Sequence, residues 1–160
     1  MVTRVLFICH GNICRSPMAE FIMKKMVSDR GLADRFHIES AATSSEEIWN
    51  GVGNPVYPPA ARKLAEHGIS CSGHHARRLE RSDYDRFDLL IGMESYNIRN
   101  MMRILGKDPA KKVCKLLDFA GGGDISDPWY TDDFDTAYRQ IEQGCAALLE
   151  HFSAEKNIYS

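Results

Sequence analysis

Cys9 and Arg15 stand six residues apart in one octapeptide, Cys-His-Gly-Asn-Ile-Cys-Arg-Ser, at residues 9–16. Together the two side chains suit one chemistry. A cysteine thiolate is a strong nucleophile, and a helix N-terminus or a nearby cation favours the thiolate over the thiol. A guanidinium grips two phosphate oxygens in a planar fork and can follow them through a transition state, which an ammonium cannot match. Ser16 offers a hydroxyl to the thiolate, Gly11 removes bulk, and Asn12 tolerates left-handed backbone and can brace the loop internally. His10, Ile13 and Cys14 complete the turn, so His10 to Ser16 form the expected phosphate cradle. A bare cysteine and arginine at this spacing arise by chance in many chains, with Cys9 as ordinary strand core. The full string, set between an apolar strand and a helix, points instead to attack on phosphorus.

The flanking segments must position that loop. Apolar runs suited to buried parallel strands occur at Arg4–Cys9, His37–Ala42 and Asp88–Met93, with a weaker one at Lys112–Leu117. Helical patterns lie between and after them. Pro17–Arg30 opens with a proline and keeps Met18, Phe21, Ile22 and Met26 on one face. Pro58–His67 stops at Gly68, and Ser95–Leu105 and Phe134–Phe152 complete the set. Strands alternating with helices predict an α/β domain: one parallel sheet with helices on both faces, in a single unit over residues 1–160. Ligands of such sheets sit at the carboxyl ends of strands, near the point where strand order reverses. Cys9 ends the first strand and falls there.

Composition narrows the function classes. A net charge of −2 argues against a nucleic-acid-binding face, and the apolar run Val5–Cys9 is too short for a signal peptide or a membrane span. Cysteines at 9, 14, 71, 114 and 145 make an odd, irregular set, better read as free thiols in a reducing cytoplasm than as a disulfide framework. The six histidines show no metal-ligand spacing with them, so neither metal nor cofactor is expected. Gly121–Gly123 lacks the lysine motif of a nucleotide loop and reads as a flexible connection.

The segment VLFICHGNICRSP at residues 5–17 resembles the signature of the low-molecular-weight protein tyrosine phosphatases. SAATSS (40–45), HGIS (67–70), HHAR (74–77), FDLLIGM (87–93) and DPWY (127–130) follow in that family's order and at about its spacing. The resemblance implies a flavodoxin-like sheet of four parallel strands in the order 2-1-3-4, a cysteinyl-phosphate intermediate on Cys9, and no metal. It implies a phosphotyrosine-bearing protein as substrate, a phosphate-like oxyanion in the site, no nucleic acid or membrane partner, and a monomer or weak dimer. Asp-Pro is a common turn opener, and Asp124, Asp132, Asp133 and Asp135 crowd the same stretch. The resemblance selects Asp127 as the acid that protonates the departing phenolate and then activates water. It also assigns Ser40 and His74 to bracing the loop through Asn12 and its neighbours. Cys14 it makes the partner of a reversible disulfide with Cys9 under peroxide.

A phosphotyrosine ring needs a slot with apolar or aromatic sides. Trp129 and Tyr130, with Ile48 and Trp49 from the loop after SAATSS, are the expected walls, although an isolated tryptophan also serves as core or surface cover. The family usually carries Tyr at the position of Trp129. Three other readings compete. A thiol-coupled arsenate reductase shares the loop but needs a close pair of relay cysteines, which Cys71, Cys114 and Cys145 do not supply by spacing. Phosphoarginine phosphatases tend to have Thr at the position of Ile13. A silent phosphate-binding module would need neither nucleophile nor acid.

Overall fold

The computed structural model describes residues 1–159, and the side chains of residues 1–153. In chain order the strands are β1 (Thr3–Cys9), β2 (Phe36–Ala42), β3 (Ile48–Trp49), β4 (Val52–Gly53), β5 (Leu89–Gly92) and β6 (Val113–Lys115). The helices are α1 (Arg15–Asp29), α2 (Pro58–Glu66), α3 (Asp83–Arg86), α4 (Ser95–Leu105), α5 (Pro128–Thr131) and α6 (Phe134–Tyr159). Four strands form one parallel sheet in the order β2-β1-β5-β6, the expected 2-1-3-4 arrangement once the small β3–β4 hairpin is set apart.

β1 is central and apolar on both faces, and its pleat divides the core. Val5, Phe7 and Cys9 face α1 and α6, packed with Met18, Ile22, Ile141 and Leu148. Leu6 and Ile8 face the other way, onto Phe87, Met101 and Leu105. A strand with no polar face can sit only inside a sheet covered on both sides. The chain leaves β1 toward β2 and later returns on the opposite side as β5, so strand order reverses beside Cys9.

Three boundaries differ from expectation by more than one residue. α1 begins at Arg15, two residues before Pro17, because a proline in the first helical turn forfeits an N–H that has no intrahelical partner anyway. Arg15 and Ser16 are therefore helical. The strand expected over Lys112–Leu117 shrinks to β6: Asp118 accepts from the Lys115 N–H at 2.9 Å, and Leu116–Ala120 turns into a 3-10 helix. α6 runs on past Phe152. The β3–β4 hairpin was not expected, although Asn50 and Gly51, at φ 51° and 78°, form the Asn-Gly turn that a tight hairpin favours. Gly53 of that hairpin lies so close to the next segment that a Cβ would sit 1.8 Å from the Ala76 carbonyl oxygen. Among the described residues no helix is long and apolar enough to cross a membrane, and no group of His, Cys, Asp and Glu has metal-site geometry.

Candidate active site

The loop from β1 to α1 turns its carbonyls outward. Cys9 O accepts from Thr43 N (3.0 Å), His10 O from Ser44 N (3.0 Å), Ile13 O from Tyr57 N (2.9 Å) and Cys14 O from Met18 N (3.0 Å). Asn12 O accepts from His74 Nε2 at 2.8 Å. Among the described residues no peptide bond is cis, so each outward carbonyl aims the following N–H the opposite way. The amides so directed belong to His10, Gly11, Ile13, Cys14 and Arg15, and these residues line a cavity of about 470 Å³ together with Cys9. The result is a nest of backbone donors at the start of a 15-residue helix, an anion site built without side chains.

Asn12 makes that geometry possible. It takes φ 60°, its Oδ1 accepts from the Arg77 N–H at 3.1 Å, and its Nδ2 donates to Ser16 Oγ at 2.8 Å. With that donor on its oxygen, the Ser16 hydroxyl is left to donate to Cys9 Sγ, 3.0 Å away. The Asn12 N–H reaches the same sulfur at 3.3 Å. Asn12 and Ser16 are wholly buried behind the loop and, unlike the other residues of the expected phosphate cradle, do not line the cavity.

The bracing from behind also differs in route. Ser40 does not touch Asn12. Its hydroxyl donates to Glu20 Oε1 at 2.6 Å, and the same oxygen lies 3.9 Å from His74 Nδ1, whose ring holds the Asn12 carbonyl. Glu20, buried on α1 and also bonded to Lys24 at 2.6 Å, is the missing link. Its place one turn into α1 beside a proline-led start gave no sequence signal of that role.

Arg15 is 3 % exposed and held on three sides. Nη1 donates to Glu94 Oε2 at 2.5 Å and to the Ile125 carbonyl at 2.8 Å, and Nη2 donates to Asp127 Oδ2 at 3.2 Å. Asp127 caps α5, where its Oδ1 accepts from Trp129 N at 3.0 Å. Glu94 follows β5 and precedes α4, and Asn97 Oδ1 accepts from its N–H at 3.0 Å. Sequence reading missed Glu94. The available signal was topological: the residue just past β5 must emerge next to the end of β1.

The walls are partly as expected. Trp129 and Tyr130 line the cavity at 58 % and 85 % exposure, and Tyr57 meets Trp129 edge to face at 5.2 Å. Ile48 and Trp49 do not line it. The hairpin doubles back at Asn50–Gly51 and carries Trp49 out to 78 % exposure, leaving Glu46 and Glu47 against the loop. Tyr96, from the first turn of α4, forms the remaining aromatic side. Cys14 lines the same cavity as Cys9, and its thiol is pushed up to about 12, first by burial and then by charge on Cys9 and Asp127.

Over residues 4–158 the sequence matches the model of the low molecular weight phosphotyrosine protein phosphatases. The chain belongs to that family. It is 35 % identical over 157 residues to the Bacillus subtilis low molecular weight protein-tyrosine-phosphatase YfkJ, covering 96 % of this chain and 98 % of the relative. The crystal structure of YfkJ superposes with a TM-score of 0.90 over 98 % of each chain. The human low molecular weight phosphotyrosine protein phosphatase is 38 % identical over 155 residues, covering 91 % of this chain and 93 % of its own. A Drosophila arginine phosphatase, 32 % identical, superposes with a TM-score of 0.81 over 92 % of this chain and 97 % of its own. Proteins of this fold therefore include phosphatases named for different phosphorylated side chains, and the choice between them rests on the cavity itself.

Proposed function

We propose that this phosphatase hydrolyses phosphotyrosine on proteins through a phosphoryl group carried by Cys9. The observation that carries the reading is the amide nest with Cys9 Sγ at its base and Arg15 at its lip. Arg15 has five N–H groups, and its bonds to Glu94, Ile125 and Asp127 engage three of them. The N–H on Nε and the second on Nη2 form one edge, the fork suited to two phosphate oxygens. Cys9 attacks phosphorus, the bond to the phenolic oxygen breaks, and Asp127 gives that oxygen its proton. The Asp127 carboxylate then takes a proton from water as it attacks the thiophosphate, releasing phosphate and the thiolate.

Ile13 lends the cavity an apolar side chain where an aryl ring must lie, beside Trp129 and Tyr96. Phosphotyrosyl peptide should therefore exceed a matched phosphoarginyl peptide by at least about tenfold in kcat/KM. The reverse order would overturn the substrate assignment. Arsenate reduction is disfavoured by the remaining thiols. Cys145 is fully buried, and burial raises the Cys71 thiol and pushes Cys114 up to about 12, so none of the three is a ready thiolate for relaying a disulfide outward. All five cysteines are free, which suits a reducing compartment, and we assign the protein to the cytoplasm as one catalytic domain acting as a monomer or weak dimer.

Cys14 serves as the oxidation partner of Cys9. Peroxide converts the Cys9 thiolate to a sulfenic acid, and the Cys14 thiol displaces water from it to close a disulfide. Wild type inactivated by peroxide should recover on incubation with dithiothreitol. Cys14→Ser should lose activity under the same peroxide and recover less than about a tenth of it. Equal recovery in both would dismiss the pairing.

A further inference from the structure

We infer that the mouth of the cavity selects phosphotyrosine set among basic residues, with Glu46 and Glu47 as the specificity-determining side chains. The inference rests on the phosphotyrosine reading above and extends it to the flanking sequence. Four carboxylates line the cavity, Glu46, Glu47, Glu94 and Asp127, against two groups that can be cationic, His10 and Arg15. Arg15 is shared between Glu94 and Asp127. Among the described residues the side chain of Glu46, 70 % exposed, pairs with only the His10 ring, at 3.1 Å, which is charged only when protonated. Glu47 has a neutral partner, the Asn54 amide at 2.7 Å. The outer rim is therefore left negative while the cradle beneath it is built for an anion.

These two fields act on different parts of a substrate. The phosphate sits among amides and the Arg15 fork, below the rim. The residues either side of the tyrosine must pass Glu46 and Glu47, which line the mouth, Glu47 against the loop itself: a Cβ on Gly11 would lie 3.2 Å from Glu47 Cγ. Acidic neighbours meet like charge and basic neighbours find a partner. The aromatic side of the rim favours the same choice, since the faces of exposed tyrosines and tryptophans attract guanidinium and ammonium groups. Tyr96 already does so with Arg99, whose guanidinium carbon is 5.7 Å from the ring centroid. Arg99 does not itself line the cavity.

The test compares two phosphotyrosyl peptides of equal length, one with Arg and the other with Glu on both sides of the phosphotyrosine. Wild type should favour the basic peptide about tenfold in kcat/KM at low ionic strength, as expected for two surface charge pairs. Added salt should compress the ratio to about threefold or less, because exposed charges are screened over about 3 Å at 1 M. E46Q/E47Q should lower the ratio at least about threefold at low ionic strength. Equal rates on both peptides, a preference for the acidic one, or an unchanged ratio in E46Q/E47Q would overturn the inference while leaving the phosphotyrosine reading intact. Hydrolysis of neither peptide would overturn both.

Discussion

Cys9→Ser should abolish turnover of aryl phosphates, lowering kcat by at least about 10⁴-fold, while phosphate and phosphotyrosyl peptide still bind. The two halves of the expectation come from different parts of the loop. Binding belongs to the amide nest and to Arg15, and both are fixed by atoms the substitution does not touch: the outward carbonyls, the Asn12 side chain and the Glu94 and Ile125 contacts. A serine oxygen can also accept from Ser16 and the Asn12 N–H, which now bond the sulfur at 3.0 and 3.3 Å. Chemistry belongs to the sulfur. A hydroxyl is a far weaker acid than a thiol, and among the described residues no basic side chain bonds Cys9 Sγ to draw a proton from serine. Calorimetric titration with inorganic phosphate measures the first half and steady-state kinetics the second. Residual activity near wild type would remove Cys9 from the mechanism, and loss of both binding and turnover would make its role structural.

Asp127→Asn should separate substrates by their leaving group. For phenyl phosphate, whose phenolate departs poorly without a proton, kcat/KM should fall by about 10²–10⁴-fold, the span of a positioned acid. For a nitrophenyl ester, whose leaving group is stable as an anion, the loss should stay within about tenfold. Asparagine is well matched as a control. It caps a helix as well as aspartate, so the bond now made to Trp129 N at 3.0 Å and the start of α5 survive. What it lacks is a transferable proton and the negative charge that meets Arg15 at 3.2 Å. A uniform loss on both esters would mean that Asp127 holds Arg15 and is not the acid.

Much of this site was legible because it is local. The strand–loop–helix around residues 9–16 is contiguous, and its proline, glycine and asparagine each mark a backbone requirement, down to the left-handed Asn12. α4 runs between the ends expected of it, with Glu94 and Asn97 forming a capping box at its start and Gly106 its stop. What the sequence hid was tertiary. Glu94 reaches Arg15 across 79 residues, and Glu20 reaches Ser40 across 20, with nothing in either neighbourhood to mark the pairing. Ile48 and Trp49 were misplaced because two-residue strands carry no period, so the Asn50–Gly51 turn that swings Trp49 outward was the only clue. Ser40 was expected against Asn12 and bonds Glu20 instead, a contact through a buried carboxylate that leaves no spacing to read.

The most direct test of the account is to find the phosphoryl group in the act. Wild type mixed with excess aryl phosphate, quenched during turnover and digested, should yield the peptide containing residues 9–16 with one phosphoryl group on the Cys9 sulfur. The same experiment on Asp127→Asn with a nitrophenyl ester should hold more of it, because the acid that releases the phenol also activates the water that clears Cys9. A phosphoryl group on another residue, or none at any quench time in either protein, would contradict the account.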